Sequence, residues 1–349
     1  MDIKIFGPSS SSLRMVVSVL SRFLKKASIP FNIREVNDVS TLLSEGVESV
    51  PAIQLDKRPI VGLQSNGSFY NSLREMVDQI LKSENYGEMP KIIIPIDFSD
   101  SSINALIFGH RLATDSGAVT KAIHVQNETS DRFDKEDVNI RLERIVNAIN
   151  KDWGSDVLKA SFISSEIREG NPVEKILHSI EDNAGELLIV GTKNDNTKEI
   201  KWFGSVAVEL MTLAPCPVLQ IPENARYKGI RKVLIAMDNH ELSPTSIKSL
   251  VDFCLPLGAE IHCVHISKRS TKIVPSIPKL KALYDESLLT SSSVFHIDIA
   301  KGLQQYSELN DIDLIAIAPS SKTIFKHFMN NSVSKQLVNI NSMPTLILK

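Results

Sequence analysis

The residues best suited to chemistry lie at 190–207, in the stretch VGTKNDNTKEIKWFGSVA. An apolar run at 187–190 precedes this stretch, and a helix-like segment at 206–213 follows it. A strand that leads through a loop into a helix can bind phosphate, because free backbone N–H groups and the helix dipole point at the anion. Most such turns bind nothing, so residues elsewhere in the chain are needed to distinguish a phosphate site from a plain connection.

The other reactive side chains are scattered. Cys216, Cys254 and Cys263 form no CxxC pair and sit in apolar segments, so we expect them to be buried and reduced, as in a cytoplasmic protein. The eight histidines show no spacing with Cys or Asp that is typical of metal ligands. We therefore predict no metal site.

Composition is that of a soluble protein. The 349 residues are 42% hydrophobic and 23% charged, with a net charge of −2, and the length suits two or three domains. No apolar run reaches the roughly 18 residues of a membrane span, and the start, MDIKIFGPSS, lacks the features of a signal peptide. We expect a cytoplasmic protein that binds neither membranes nor nucleic acid, since the latter needs a basic surface.

A repeat organises most of the chain. At an offset of 141, KIIIPIDF (91–98) matches KVLIAMDN (232–239), and AIHVQN (122–127) matches CVHISK (263–268). At an offset of 127, LLIVGT (187–192) matches LIAIAP (314–319), and CPVLQI (216–221) matches MPTLIL (343–348). The sequence thus contains two homologous modules, module 1 at 90–222 and module 2 at 230–349.

Each module alternates strands and helices, which predicts a doubly wound α/β fold with a parallel sheet. In module 1 the predicted strands are 91–96, 119–125, 158–165, 186–190 and 217–221, and the predicted helices are 100–116, 134–152, 172–183 and 204–213. The apolar runs are continuous, as in strands buried on both faces. Polar residues from Pro222 to Gly229 predict a short linker between the modules.

Residues 1–84 form a different predicted domain with the order βαβαββα. Its strands are expected at 3–6, 31–36, 50–53 and 59–63, and its helices at 12–27, after Asp38 or Ser40, and at 68–82. SENYGEMP (83–90) is the predicted linker to module 1.

The two modules resemble domains of the universal stress protein family, over about 260 residues. The resemblance rests on IIIPIDFSDSSINAL (92–106), AIHV (122–125), LLIVGT (187–192) and FGSVAVELMTLAPCPVLQIP (203–222). Nucleotide-binding members carry G-2x-G-9x-G-(S/T), and Gly191, Asn194 and Gly204-Ser205 have this spacing. Asn194 replaces the second glycine, but asparagine tolerates left-handed backbone angles better than other non-glycine residues.

The resemblance implies an adenine-nucleotide site, for ATP or a relative with or without Mg, in module 1. Gly191 would let the backbone approach the nucleotide, Gly204, Ser205 and Val206 would present N–H groups to phosphate, and Asp97 and Val125 would contact the nucleoside. The full predicted set is Pro95, Ile96, Asp97, Val125, Val190, Gly191, Thr192, Asn194, Gly204, Ser205 and Val206. The alternative is that Asp97 and Gly204-Ser205 only cap the helices that follow them.

Module 2 departs from the motif. The same register has Ala318, Ser321 and Asn331-Ser332, so the three motif positions hold no glycine, and only Ser332 and the strand-end Asp238 remain. A Cβ at a glycine position would crowd a phosphate. We predict a degenerate second site. The basic loop 321–331 could hold another anion, although a solvated loop is favoured.

The N-terminal domain resembles a small thioredoxin-fold protein through IKIFGPSSSSLRM (3–15) and Ser49-Val50-Pro51-Ala52. The resemblance implies a cis bond before Pro51. The positions of the redox cysteines fall near Ser10 and Leu13, and neither residue can form a disulfide. We expect a redox-inactive domain kept for contacts with a protein partner.

Three functions remain open. The first is a stress-response protein that binds a nucleotide in module 1 as a sensor or regulator, with hydrolysis at most slow. The second is a scaffold without nucleotide. The third is an enzyme, which is disfavoured because DFSDSS (97–102) lacks the glycines of an adenylating loop and no general base or nucleophile is visible. The resemblance also implies that 217–221 and 344–348 pair antiparallel within one chain as a pseudo-twofold intramolecular dimer, with further homo-oligomers left open.

Overall fold

The computed structural model describes residues 2–8, 13, 17, 20–21, 31–48, 50–55, 60–62, 91–126, 135–151, 163–192, 205–237, 242–267, 275–318 and 343–349. Packing divides the chain into two compact units. The first comprises Met1–Pro90, Gly117–Lys121 and Arg132–Glu166, and the second comprises Lys91–Ser116, Ala122–Asp131 and Ile167–Lys349. The division into three domains expected from the sequence stays a prediction.

The first unit contains a four-stranded sheet. Its strands are β1 (Asp2–Phe6), β2 (Asn32–Val36), β3 (Ala52–Leu55) and β4 (Val61–Gly62), in the order β2-β1-β3-β4. Strands β1 and β2 are parallel, whereas β3 is antiparallel to β1 and to β4. Helix α1 (Val39–Ser44) begins after Asp38, whose side chain accepts a hydrogen bond from the Thr41 N–H group and thereby caps the helix.

The sequence predictions for this region are confirmed in part, since the strand expected at 50–53 lies at Ala52–Leu55. The peptide bond between Val50 and Pro51 is cis, as expected. The described residues of the predicted first helix, 13, 17 and 20–21, are helical, and Leu13 and Leu20 are buried. The predicted strand at 59–63 is shorter, at Val61–Gly62. Ser10, the helix at 68–82 and the linker at 83–90 lie outside the described residues.

The repeat region forms a ten-stranded sheet flanked by helices. Its strands are β5 (Lys91–Pro95), β6 (Val119–Gln126), β7 (Ile163–Glu169), β8 (Gly185–Thr192), β9 (Val218–Pro222), β10 (Lys232–Met237), β11 (Glu260–Ser267), β12 (Leu289–Phe295), β13 (Leu314–Ile317) and β14 (Thr345–Ile347). Its helices are α2 (Asp100–Ser116), α3 (Lys135–Lys151), α4 (Pro172–Asp182), α5 (Ser205–Leu213), α6 (Pro244–Cys254), α7 (Pro278–Lys281) and α8 (Ile299–Asn310), with 3-10 turns at Leu255–Leu257 and Glu286–Leu288.

The sheet order is β12-β11-β10-β13-β14-β9-β8-β5-β6-β7. Each module therefore contributes five strands, and the second five have the mirror-image order of the first. The centre of each half is apolar on both faces: Ile92, Ile93 and Ile94 of β5 and Leu234 and Ile235 of β10 are buried, which explains the continuous apolar runs in the sequence.

The two halves join at β9 and β14, which pair antiparallel as predicted. Leu219 lies opposite Leu346, Val218 opposite Ile347, and Gln220 opposite Thr345. By contrast, β14 is parallel to β13, and β9 is parallel to β8. The antiparallel pairing closes the edge that each half would otherwise expose.

The largest error in the strand boundaries of module 1 concerns its third strand. This strand was expected at 158–165, but β7 continues to Glu169. The reason is its position at an end of the sheet, where most residues of the strand are polar: Glu166, Arg168 and Glu169 extend the strand beyond the apolar run. An apolar run therefore underestimates the length of an edge strand.

The linker between the modules is held along α2 by a group of residues that we name the linker clasp. The Asn104 Nδ2 atom donates to the carbonyl oxygens of Pro222 at 3.1 Å and Ala225 at 3.0 Å, and the Asn104 Oδ1 atom accepts from Arg226 at 2.9 Å. Farther along, the Tyr227 hydroxyl donates to Asp115 at 2.7 Å. The Tyr227 ring also packs edge-on against Phe108, with ring centroids 5.0 Å apart.

Candidate functional site

The candidate site of module 1 lies where three neighbouring strands end. Strands β8, β5 and β6 are adjacent, and β5 runs parallel to β8. From β5 the chain builds outward through β6 and β7 on one side, and through β8 and β9 on the other. Ligands of open α/β sheets bind at such a switch point, beyond the carboxyl ends of the strands. The predicted residues Pro95, Ile96, Val125 and Thr192 all lie at these ends.

The end of β5 is fixed by a hydrogen-bonded turn. The Asp97 carboxylate accepts from the Ser99 N–H group at 3.0 Å and from the Ser99 hydroxyl at 2.5 Å. The Ser99 hydroxyl oxygen accepts in turn from the N–H group of Ser102, in the first turn of α2, at 3.3 Å. The Ser99 hydroxyl, and not the Asp97 carboxylate, thus accepts from the first turn of α2, and Asp97 acts on the helix start only through Ser99.

Electrostatics keeps Asp97 ionised. Partial burial alone would raise the pKa of the Asp97 carboxyl, but hydrogen bonds from Ser99 and Ser102 outweigh it and hold the pKa below its ordinary value. Asp97 is exposed to solvent at the strand edge. An ionised, accessible carboxylate can accept hydrogen bonds from ribose hydroxyls or from the exocyclic amine of a base.

Two residues at this edge were not predicted. The His124 Nδ1 atom lies 2.7 Å from the Ile96 carbonyl oxygen, and the buried imidazole ties β6 to the end of β5. The Phe98 ring packs on the imidazole, with centroids 4.7 Å apart, and Phe98 has a φ of 64°, which is unusual for a bulky residue. The recurrence of His124 as His265 in module 2 was the signal that could have revealed this contact.

Gly191 has a packing reason to be glycine. A Cβ atom at this position would lie 2.2 Å from the Ser101 carbonyl oxygen and 2.5 Å from the Ser101 carbonyl carbon, in the first turn of α2. Any larger residue would therefore force β8 and α2 apart. This contact accounts for the glycine whether or not a ligand binds, so its role toward a nucleotide stays a prediction.

The Thr192 side chain faces the neighbouring strand. Its Oγ1 atom accepts from the Gln220 Nε2 atom at 2.7 Å, and both residues are buried. The Thr192 carbonyl oxygen accepts from the Glu223 N–H group at 3.0 Å. The end of β8 is thus tied to β9 and to the start of the linker.

Three of the predicted site residues are valines of the large hydrophobic core cluster or packed against it. Val190 is buried, Val125 and Val206 are partly buried, and the three pack in one hydrophobic cluster. Helix α5 begins at Ser205, with no acidic residue in its first turn to oppose an anion. Asn194 and Gly204 lie outside the described residues, so the predicted loop geometry between β8 and α5 stays a prediction.

In module 2, Ala318 follows β13 and is fully buried. Asp238, Ser321, Asn331 and Ser332 lie outside the described residues. The histidine contact of module 1 recurs, since the His265 Nδ1 atom lies 3.1 Å from the Met237 carbonyl oxygen. Degeneracy of the second site stays a prediction that rests on the missing glycines.

The cysteines are buried and unbonded to one another. Burial raises the pKa of the Cys216 thiol to about 11 and that of Cys263 to about 12, and it raises that of Cys254 further still. The three thiols are therefore poor nucleophiles at neutral pH. Within the described residues, no group of His, Cys, Asp and Glu side chains is arranged to hold a metal ion, and none of the described helices is long and apolar enough to cross a membrane.

The fold at this strand edge is that of a mixed α/β protein with a large, mainly parallel sheet. Residues 89–222 match the model of the Universal stress protein family, so a universal stress protein domain lies at 89–222. The universal stress protein MJ0531 of Methanocaldococcus jannaschii is 28% identical over 144 residues, which are 38% of this chain and 81% of that protein.

Solved structures extend the likeness in fold. A universal stress protein from Archaeoglobus fulgidus DSM 4304 is 15% identical and superposes with a TM-score of 0.55 over 74% of this chain and 98% of its own. A universal stress protein solved in complex with cAMP is 20% identical over 39% of this chain and 98% of its own, with a TM-score of only 0.30. The first likeness covers more of the chain than one module.

Proposed function

We propose that module 1 binds ATP or a related adenine nucleotide, and that the protein acts as a sensor or regulator in a stress response rather than as a catalyst. The observation that carries this proposal is the convergence of Asp97, Val125 and the end of β8 at the switch point of the sheet. The motif spacing from Gly191 to Ser205 would place the start of α5 against the phosphates.

The chemistry of the edge suits binding better than catalysis. The Asp97 carboxylate is ionised and accessible, Val125 and Val206 offer an apolar surface to a base, and α5 offers N–H groups. No described residue of the strand ends is placed as a general base for the attack of water on a phosphate: His124 is committed to the Ile96 carbonyl oxygen. Any bound Mg would have to be held mainly by the nucleotide and water.

A nucleotide-free scaffold is the second candidate, and three contacts favour it. Gly191 is required by α2, the Asp97 carboxylate is used by Ser99, and the Thr192 hydroxyl is used by Gln220. Each of these residues thus has a structural reason to be present without any ligand. Under this reading the modules serve to present surfaces to other proteins.

For the N-terminal region we propose a redox-inactive domain with a thioredoxin-like fold that contacts a protein partner. The parallel pair β1 and β2, the antiparallel strands β3 and β4, and the cis bond before Pro51 support this reading. Leu13 is a buried leucine where a redox cysteine would stand, so no dithiol can form with it.

We further propose that the two modules form an intramolecular pseudo-twofold dimer. At the repeat offset of 127, Val218 corresponds to Thr345 and Gln220 corresponds to Ile347. The observed pairs, Val218 with Ile347 and Gln220 with Thr345, are those that a twofold axis between Leu219 and Leu346 would generate.

The experiment is to denature freshly purified protein, filter it, and identify any released nucleotide by chromatography and mass. We expect roughly one adenine nucleotide per chain, because module 2 lacks the motif glycines. Gly204→Val should abolish the release, whereas the control Asn331→Gly should leave it unchanged. If the protein releases no nucleotide and also fails to bind millimolar Mg-ATP, the scaffold function replaces the nucleotide proposal.

A further inference from the structure

The ten-stranded sheet has two outer edges, and the two differ in chemistry. Strands β7 and β12 are the third strands of their modules and occupy the two ends of the sheet order. Strand β7, ISSEIRE, carries Glu166, Arg168 and Glu169, whereas β12, LTSSSVF, carries no charge. Charged residues on an edge strand are the usual protection against pairing with another chain. That protection is present on β7 and missing on β12.

The outer side of β12 forms no strand ladder within the part of the chain that the structure describes. Among the described strands, β12 pairs only with β11, in parallel, over its whole length from Leu289 to Phe295. In the described part of the chain, no backbone-to-backbone hydrogen bond joins a loop or helix to its other side, and the Ser291 hydroxyl donates to the Pro275 carbonyl oxygen at 2.7 Å. At the end of the strand, Phe295 is 59% exposed and Ile297 is 78% exposed. An uncharged seven-residue edge with exposed apolar residues is a template for an added strand.

The sequence of β12 is complementary to itself when reversed. If two copies pair antiparallel about Ser292, Leu289 faces Phe295, Thr290 faces Val294, and Ser291 faces Ser293. Apolar residues meet at both ends and hydroxyl residues meet in the middle, which are favourable cross-strand pairs. The same arrangement of β7 would set Glu166 against Glu166, which is unfavourable.

We propose that the free edge of β12 is a homodimerisation surface, on which a second copy of this chain pairs antiparallel about Ser292. Self-pairing needs no charge complementarity from a foreign partner, and it would join two ten-stranded sheets into one. A single strand pair buries less area than a standard interface, so we expect a dimer with a Kd of the order of micromolar. The proposal does not depend on nucleotide binding.

Sedimentation velocity of the full chain, from about 1 to about 100 µM, tests the surface. We expect a shift with concentration from the 38.7 kDa monomer to the dimer. Phe295→Glu should raise the Kd at least about tenfold, since it places a carboxylate opposite Leu289. The control Leu255→Glu introduces the same charge at a different exposed apolar residue, a leucine that is 62% exposed and lies before β11. This control should leave the Kd unchanged. A wild-type chain that stays monomeric, or a dimer that Phe295→Glu does not weaken, overturns the proposal.

A cysteine experiment tests the register. Ser292→Cys places two thiols directly across the twofold, within reach of a disulfide. The matched control Thr290→Cys lies on the same face, but its two copies would be about 13 Å apart along the strands. With mild oxidant, Ser292→Cys should give a covalent dimer and Thr290→Cys should not. The native cysteines are buried. Cross-linking of both variants or of neither refutes the pairing about Ser292, and circular dichroism confirms that each variant is folded.

Discussion

Modules 1 and 2 share a contact at the strand edge, and the residues described beside it differ. In both, a histidine of the second strand meets the carbonyl oxygen at the end of the first: His124 meets Ile96 at 2.7 Å, and His265 meets Met237 at 3.1 Å. In each module this contact ties the second strand to the carboxyl end of the first. Its retention in both modules shows that it belongs to the framework of the fold, independently of the motif glycines.

The differences concern the ends of β8 and β13 and the starts of helices α2 and α6. Module 1 has Gly191, against which the first turn of α2 packs, and module 2 has Ala318 at the equivalent position. At the repeat offset of 141, the start of α6 at Pro244 corresponds to Ile103, so α6 begins later than α2, which starts at Asp100. The residue corresponding to Ser101 is Leu242, outside the helix. The later start removes the helical turn that a Cβ would meet.

The largest expected effect comes from placing the residue of module 2 in module 1. Gly191→Ala should lower the free energy of unfolding by about 3 kcal/mol or more, because the new methyl group would lie 2.2 Å from a backbone oxygen that cannot move alone. Urea unfolding followed by circular dichroism measures the change. The reverse change, Ala318→Gly, should cost only about 1 kcal/mol, for a lost buried methyl group and a freer backbone. Equal costs would show that the two positions are not packed differently.

The second prediction concerns His110, which is buried in α2 and corresponds to Val251 of α6. Burial, with a smaller effect of the Arg111 charge, lowers the pKa of His110 from 6.5 to about 4. The unfolded chain therefore binds a proton first, so stability is full above about pH 6.5 and falls as the pH drops toward 4.

His110→Val should remove this dependence. Between about pH 7 and about pH 4, the wild type should lose about 3 kcal/mol more than the variant, which is the linkage value for a pKa difference of this size. Urea unfolding at several pH values gives the free energy of unfolding of both proteins as a function of pH. Subtracting one curve from the other removes the contribution of the carboxylates that the two proteins share. Parallel curves would mean that His110 titrates normally in the folded protein.

The third and smallest effect concerns the linker clasp. Asn104→Ala removes two donated hydrogen bonds and one accepted from Arg226, so we expect a loss of about 2 kcal/mol. Thr245 in the first turn of α6 is the corresponding residue of module 2, and its exposed hydroxyl is hydrogen-bonded to that of Ser243. Thr245→Ala should therefore cost about 0.5 kcal/mol or less. Thermal unfolding ranks the two variants, and a reversed rank would show that the linker is held by other contacts.

The fold was predictable to the extent that apolar runs and the repeat determine it. The succession of strands and helices along each half follows from continuous apolar runs such as Ile92–Ile94 and from their alternation with helical segments. The pairing of β9 with β14 followed from the resemblance of each half to a dimerising domain. Strand β7 was misjudged because most of its residues are polar, as its position at an end of the sheet allows.

Less of the site could be predicted, because contacts between distant residues leave no local pattern. The spacing that singled out Gly191 is visible in sequence, but its collision with Ser101 is visible only once β8 lies beside α2. Likewise, the polar linker predicted at 222–229 carried no sign that Asn104, more than a hundred positions earlier, would bind its backbone.

The clasp on that linker also bears on strand exchange between chains. Exchange of module 2 between two molecules would require the segment after β9 to straighten, so that β14 of one chain reaches β9 of another. Such an extension would break the bonds of Asn104 to Pro222 and Ala225 and the bond of Tyr227 to Asp115. The clasp therefore disfavours domain swapping: it keeps each β9 with the β14 of its own polypeptide and leaves the proposed self-association to the edge of β12.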